Sequence, residues 1–300
     1  MRRAYSASSS ALEPSRLRLT VKRVPDGLVS NLLNELHEEA ARGSRLELLG
    51  PSGDFIPSPS TTPRTLLLVA GGSGITPHLS ILHTLLVREP QTRFVLIDGN
   101  RKEQDILFRA ELDALSRQYP NRIHISYVLE SPTDSWGGGV GVLDQATFLK
   151  ELDRSEIRQG ESVEALLCGP DAMMQAVRAA LLSRGWDARR IREERFFASH
   201  APRSNERDQS TPHRMTVIHQ GISRDIAVLP NQTLLEAGVA SGVAMPYSCA
   251  LGGCGACKVK CVEGNVVMSE PNCLLDKERN DGYVLACVSF AASSVRVELP

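Results

Sequence analysis

Hydrophobic and polar positions divide the chain into stretches of different period. Near the start, Leu17, Leu19 and Val21 alternate with Arg18, Thr20 and Lys22, the two-residue period of a strand with one buried face. Leu32, Leu33, Leu36 and Ala40 then share one helical face over residues 30–41, with Ser30 as the expected cap. A short strand near 45–49 and a loop rich in Pro, Gly and Ser from 50 to 63 follow.

From residue 64 the pattern changes. TLLLVA (65–70) is an unbroken apolar run, as in a strand buried on both faces of a parallel sheet. A Gly-rich turn leads into a helix that starts at Pro77 and runs to Arg88. Further strands are predicted at 94–98, 123–129, 163–168 and 191–196, and helices at 106–119, 147–152 and 172–185. Strands alternating with helices predict an open, mostly parallel α/β sheet with right-handed crossovers. Residues 198–213 are polar, contain Pro and have little to bury, so they read as a linker. Beyond 214 the segments are short (RMTVIHQ, RDIAVLP, TLLEAGVASG, KVKCVEG, VRVEL), which predicts a small α+β unit of under ninety residues.

Composition narrows the function without naming it. The 300 residues suggest about two domains, or three small ones. With 42% hydrophobic and 23% charged residues the chain has an ordinary globular composition. A net charge of −1 gives no electrostatic reason to expect nucleic acid or an anionic membrane as partner. No apolar run is long enough to span a bilayer, and MRRAYSASSS lacks the apolar stretch of a secretory signal, so a cytoplasmic protein is expected. The seven cysteines are odd in number and crowd into the sequence from Cys249 onward. That distribution fits a metal site better than a disulfide framework.

Cys249-x4-Cys254-x2-Cys257, with Cys287 in YVLACV 30 positions after Cys257, has the plant-type 2Fe-2S ligand spacing. Two irons need four thiolates in one small volume. Three can come from a folded loop, and the fourth must return from a distant segment. Gly252, Gly253 and Gly255 let backbone N–H groups reach the sulfurs, where they favour the reduced state. The alternative is zinc, which favours paired Cys-x2-Cys knuckles, and there is one such pair. Cys261 and Cys273 read as plain thiols.

GGSGITP (71–77) follows a buried strand and opens a helix. Gly71, Gly72 and Gly74 remove side chains where a pyrophosphate would meet the backbone, and Thr76 and Pro77 begin the helix whose free N–H groups would face it. A tight turn without a ligand is the alternative. CGPDAMM (168–174) again joins a strand end to a helix, placing Cys168, Gly169 and Pro170 at the carboxyl edge of the sheet, where such folds bind ligands.

Three features after Met215 resemble a plant-type ferredoxin domain, a small β-grasp fold: TLLEAGVASGV, PYSC and GYVLAC. The order R-x-Y-S (3–6), GLVS (27–30), GGSGITP, CGP and ERF (194–196) resembles the ferredoxin–NADP reductase superfamily. The resemblance implies that Cys168 lies near the nicotinamide C4. DGNR (98–101) resembles the segment at the adenosine end. There Asp98 would bond a ribose 2′-OH and favour NADH, or Arg101 would pair with a 2′-phosphate and favour NADPH; the lean is to NADH. Arg3 would pair with the FAD pyrophosphate, Tyr5 pack on the isoalloxazine, and Ser6 bond the ring edge near N5. Gly27 and Ser30 would face phosphate oxygen, and Phe196 would lie near the flavin.

In that family R-x-Y-S sits midway through a six-stranded antiparallel barrel. Here it begins at residue 3, so a partial flavin barrel is expected, with FAD retention the point at issue. The expected layout is a partial FAD-binding barrel (1–63), an NAD(P)-binding α/β domain (64–197), a linker (198–213) and a 2Fe-2S domain (214–300). Taken together the chain resembles an oxygenase-type reductase, as in phenylacetate- or ketosteroid-hydroxylating systems. Electrons would pass from NAD(P)H via FAD, beside the catalytic residues Ser6 and Cys168, to the cluster and on to a partner oxygenase that docks around Ala250 and Leu251. Two other readings stay open: a flavin-free 2Fe-2S carrier with an inert reductase half, and a stand-alone reductase of small acceptors.

Overall fold

A computed structural model of the chain describes residues 3–13, 15–25, 27–38, 45–46, 48, 53, 55–155, 157, 162–196, 211–247, 249–270 and 272–300. They form two compact units, one of residues 5–44 and 55–196, the other built around 211–300.

The larger unit is organised by strand β1 (Arg64–Gly71), in which every residue is buried. β1 lies between β2 (Thr92–Asn100) and β5 (Val163–Cys168), and the sheet continues to β3 (Ile123–Leu129) and the short β4 (Gly139–Val140) on one side and β6 (Ile191–Glu194) on the other. All these pairings are parallel, in the order β4-β3-β2-β1-β5-β6. Continuous apolar runs are what this geometry demands, because helices cover both faces. On one face Leu66, Leu68, Phe94 and Leu96 pack with Leu79 and Leu82 of α2 (Ile75–Arg88) and Leu112 of α3 (Arg109–Gln118). On the other, Leu67, Val69, Val95 and Ile97 pack with Phe148 of α4 (Gln145–Arg154) and Val177 and Leu181 of α5 (Asp171–Ser183). The chain winds outward from β1 to β4 and then returns to β5, so the direction of winding switches between β1 and β5. Ligands of open α/β sheets bind at that point.

The segment before the sheet departs from its sequence pattern. Residues 16–24 pair only at the Ala7–Leu19 bridge, supported by Ser8 N–H donating to the Arg18 carbonyl at 2.8 Å. Leu17 and Val24 are exposed. The two-residue alternation is present, but among the described residues only 7–9 offer it a neighbour, and one pairing partner does not sustain a regular strand. Helix α1 (Leu28–Glu38) begins two residues earlier than expected, so Ser30 lies within its first turn rather than at the cap. Of the strand expected near 45–49, residues 45, 46 and 48 are described and none is in a strand, while 47 and 49 lie outside the described residues, as does most of the expected linker, 198–210.

The smaller unit carries a mixed sheet, β11-β9-β13-β7-β8. Its strands are β7 (His213–His219), β8 (Ile222–Val228), β9 (Lys258–Glu263), β11 (Tyr283–Leu285) and β13 (Val295–Glu298). β7 and β8 form a hairpin, and β13 runs parallel to β7. Helix α6 (Leu234–Ala240) is held by a reciprocal cap: Thr233 Oγ1 accepts from Glu236 N–H at 3.1 Å, and Glu236 accepts from Thr233 N–H at 2.9 Å. A second ribbon pairs β10 (Val266–Met268) with β12 (Ser289–Ala291), and the one-turn α7 (Asp276–Asn280) precedes β11. No helix among the described residues is long and apolar enough to cross a membrane.

At the amino end of the parallel sheet, Arg64 is buried between two carboxylates, 2.9 Å from Glu89 and 3.2 Å from Glu164. Arg64→Ala leaves Glu89 without its cation and Glu164 with Arg192 alone, and is expected to destabilise the larger unit by about 3 kcal/mol, read as a lowered denaturant midpoint. Arg64→Lys should recover only part of this, because one ammonium cannot reproduce the planar fork.

Candidate functional site

The cysteine loop leaves α6 and closes before β9. Ala250 and Gly252 have φ of +55° and +77°, which folds the chain back on itself between Cys249 and Cys254. At Gly252 a side chain would meet Val288 and Asn272 at 3.1 and 3.2 Å, so both its conformation and its surroundings call for glycine. The fourth cysteine is delivered by Ala286-Cys287, just after β11. Ala286 N–H donates to the Cys257 carbonyl, and the Ala286 carbonyl accepts from Leu235 N–H, both at 3.0 Å.

The sulfurs stand as two pairs. Cys257 Sγ is 3.2 Å from Cys287 Sγ, and Cys254 Sγ accepts from Cys249 N–H at 3.5 Å. Further backbone N–H groups point at sulfur: Leu251 to Cys249 at 3.4 Å and Gly252 to Cys287 at 3.2 Å. The Cys249 thiol is pulled down to about 5 by the hydrogen bond from Cys254, and Cys257 is lowered by the bond from Cys287. Their partners are raised by the same shared proton. Two thiol pairs ringed by N–H donors fit a centre of two irons, one pair to each. Cys261 and Cys273 stay outside these pairs. The Cys261 thiol faces the Glu263 carbonyl at 3.4 Å, and the Cys273 backbone N–H supports the loop through the Gly252 carbonyl at 2.8 Å.

In the larger unit, β1 and β5 end in step, with Ala70 paired to Cys168. Their turns therefore meet. A Cβ on Gly74 would stand 2.0 Å from the Cys168 carbonyl oxygen, and one on Gly169 would stand 2.9 Å from Gly71 N. Gly71 is pressed against Pro170 and Met173 in the same way. Gly72, by contrast, has φ +54° and open space beside it, the form of a cradle for a ligand. Pro170 precedes α5 without a side-chain cap, which leaves the first N–H groups of α5 at this edge, whereas α2 follows a tight turn in which the Gly72 and Ser73 carbonyls accept from Ile75 N–H. Thr76 is buried and donates to the Ser73 carbonyl at 3.0 Å, and Pro77 is buried behind it. This arrangement fits a dinucleotide pyrophosphate.

Ser6 and Cys168, far apart in sequence, converge on one carboxylate. Ser6 Oγ donates to Glu194 Oε2 at 2.7 Å, and Cys168 Sγ lies 4.0 Å from the same oxygen. Burial, and then the nearby Glu194 charge, push the Cys168 thiol well above its ordinary value, so it keeps its proton. Sequence reasoning passed over Glu194, although it lies in the quoted ERF segment. Its role follows from its place at the end of β6, beside β5. Phe196, two residues on, is 42% exposed. An oriented hydroxyl with an exposed aromatic ring close by in sequence is a donor set that suits the edge and face of a flavin. Tyr5 is half-buried in this unit, and Arg3 lies outside it. Ser30 turns inward: its hydroxyl donates to the Gly27 carbonyl and accepts from Val24 N–H, both at 3.2 Å.

Asp98 corrects an expectation. Its side chain is fully buried and accepts from Asn100 Nδ2 at 2.9 Å, so it cannot reach a ribose hydroxyl. Even-numbered residues of β2 face the α2–α3 layer, and that parity seals Asp98 inside. Arg101, just past the strand, is exposed. The lean toward NADH that rested on Asp98 has no structural support.

Comparison with known proteins finds three family models along the chain. Residues 1–56 match the oxidoreductase FAD-binding domain, 68–179 the oxidoreductase NAD-binding domain, and 217–292 the 2Fe-2S iron-sulfur cluster binding domain. The glycine betaine monooxygenase reductase subunit of Chromohalobacter salexigens is 32% identical over 99% of this chain and 82% of its own. The ferredoxin reductase component of the 3-ketosteroid-9-alpha-monooxygenase of Rhodococcus rhodochrous is 33% identical over 95% of this chain and 78% of its own. Among solved structures, phthalate dioxygenase reductase superposes with a TM-score of 0.57 at 24% identity, covering 100% of this chain and 83% of that one, a likeness of fold.

Gly74→Ala forces the two turns apart and should raise the KM for reduced dinucleotide by about tenfold or more, while the iron content of the protein stays unchanged. A second expectation concerns Asp98, whose pKa is raised from 3.8 to about 8 by burial, against the bond from Asn100. The native state therefore holds a proton that the unfolded chain releases above 3.8. Stability from this group is greatest at low pH and falls as pH rises toward 8. Asp98→Asn should flatten that part of the stability–pH curve, measured by denaturation at successive pH values.

Proposed function

The chain belongs to the oxygenase-type reductases of the ferredoxin–NADP reductase superfamily, and on that premise we propose that it moves electrons from NAD(P)H to a partner oxygenase component. One observation carries the reading: a single chain joins FAD-binding and NAD-binding modules to a loop of two thiol pairs ringed by N–H donors. The relatives named above are reductase parts of oxygenase systems, and an oxygenase is the acceptor proposed here.

A flavin, when bound, accepts two electrons together with a proton as hydride and releases them singly, which a 2Fe-2S centre requires. The residues divide the remaining work. The Gly71–Gly74 turn and the start of α2 receive the dinucleotide pyrophosphate. Gly169 and Pro170 shape the nicotinamide side, and Arg101 stands at the adenosine end. Cys168 presents a protonated, uncharged thiol there, so no thiolate is on hand to attack the nicotinamide ring. Glu194 accepts the Ser6 hydroxyl proton in a hydrogen bond and so fixes how that hydroxyl meets the flavin edge. Tyr5 and Phe196, in the same unit as Ser6, complete the flavin contacts. Cys249, Cys254, Cys257 and Cys287 bind the irons, and the half-buried Ala250 and Leu251 form the rim on which the acceptor docks.

The domain limits that suit this division are 1–63, 64–197 and 214–300, with 198–213 as linker. None of the seven cysteines is joined in a disulfide, as a reducing compartment keeps them, and we place the protein in the cytoplasm.

Anaerobic addition of NADH or NADPH to purified protein tests the function. Bleaching of flavin and cluster absorbance together, followed by reoxidation on adding an oxidised oxygenase component, is the expected course. Protein that holds iron and sulfide but is reduced by neither dinucleotide would overturn the reading. Cys254→Ser or Cys287→Ser should lose most of the bound iron and acid-labile sulfide, whereas Cys261→Ser and Cys273→Ser should retain it, by colorimetric assay.

A further inference from the structure

His78 lies in the first turn of α2, fully buried, and has no place in the chemistry above. Its ring joins the Gly-rich turn to strand β5. Nδ1 is 2.8 Å from the Gly74 carbonyl oxygen, and Nε2 is 3.0 Å from the Leu166 carbonyl oxygen. Gly74 closes the Gly-rich turn, and Leu166 stands two residues before Cys168. Phe55 meets the ring edge-on at 5.6 Å.

Both partners are carbonyl oxygens, which only accept. A neutral imidazole has one N–H, so one of the two contacts then sets lone pair against lone pair. Only the imidazolium donates to both. Burial opposes that charge and lowers the His78 pKa, while the Leu166 and Gly74 carbonyls pull it up. Few charged groups stand near enough to compete. On β5 the titratable neighbours of Leu166 along the same face are Cys168, which keeps its proton, and Glu164, which is committed to Arg64 and Arg192. The facing residues of β1, Leu66, Leu68 and Ala70, are apolar, and the segment before β1 contributes the Phe55 ring. On α2 itself the next titratable side chain is His83, which is bonded to Glu111.

We propose that His78 is a positioning residue that clamps the Gly-rich turn to the Cys168 strand, and that it takes up a proton when a dinucleotide pyrophosphate settles on that turn. The proposal rests on the nucleotide-site reading. A pyrophosphate brings two negative charges to Gly71–Gly74, one helical turn from the ring, and supplies the attraction that burial otherwise denies the cation. The protonated ring then donates to both carbonyls, and the turn and the strand are fixed in register. Because the His78 pKa is higher in the complex than in the free protein, binding draws a proton from solvent between those two values. Affinity is therefore greatest at low pH and falls as pH rises through the pKa of the complex.

The test is calorimetric titration of the purified holoprotein with NAD+ and with NADP+, each in two buffers of unlike ionisation enthalpy, between about pH 5 and 8. For whichever dinucleotide binds, net uptake approaching about one proton is expected in the wild type, with a Kd that weakens several-fold as pH rises. His78→Gln offers an NH2 donor group and a carbonyl acceptor and cannot gain a proton, so its uptake should vanish and its Kd should be flat with pH. Nitrogen-15 spectra of the wild-type imidazole supply an arm that needs no variant: both ring nitrogens should be protonated in the complex at pH 6. Tight binding without proton uptake, uptake that survives in His78→Gln, or one bare ring nitrogen in the complex overturns the clamp alone. If neither NAD+ nor NADP+ binds at any pH, the nucleotide site falls and the clamp with it.

Discussion

The dinucleotide half of this protein depends on a space too small for a methyl group. β1 and β5 run parallel and in register and finish together, so the turns that follow them are forced into contact. Gly74 lies against the Cys168 carbonyl so closely that no side chain fits between them, and Gly169 lies against Gly71 in the same way. Two results follow from this one constraint. Both helices that leave these turns start at the same sheet edge, neither with a side-chain cap. The thiol of Cys168 is carried to within reach of the carboxylate that holds Ser6, although the residues come from opposite ends of the unit.

The chain uses cysteine in two opposed ways, and surroundings decide which. Cys168 is sealed among apolar side chains next to a carboxylate, so its sulfur stays neutral. The sulfurs of the C-terminal loop instead face backbone N–H groups from Cys249, Leu251 and Gly252, which favour negative charge. One environment keeps a sulfur protonated. The other invites it to bind a cation.

Much of this was legible in the sequence because it rests on local pattern. The run TLLLVA could only be a strand covered on both faces, and the spacing of Cys249, Cys254 and Cys257 left few alternatives to a loop around a cluster. What escaped depended on tertiary placement. Asp98 stood beside Arg101 as one of two alternatives for the dinucleotide ribose, on the resemblance of DGNR to the family's adenosine-end segment, but a strand covered on both faces leaves its side chain in the core. Glu194 looked like one more charged residue in a run of them, and only the adjacency of β6 to β5 gives it a task. Residues 16–24 carry a clear alternation and yet pair at a single point, since a strand needs neighbours as well as pattern. The ribbon of β10 and β12 spans three residues on each side, too few for a period to show.

The long return from the cysteine loop to Cys287 has a further effect. Joining Cys249 to Cys287 through iron closes a loop of 38 residues, counted along the chain, in a unit whose core is small. Closing so long a loop removes configurations that the unfolded chain would otherwise sample, and the metal binds only where the loop has formed. The centre that carries the electron is thereby also a cross-link, and loss of iron takes away part of what holds the C-terminal third of the molecule folded.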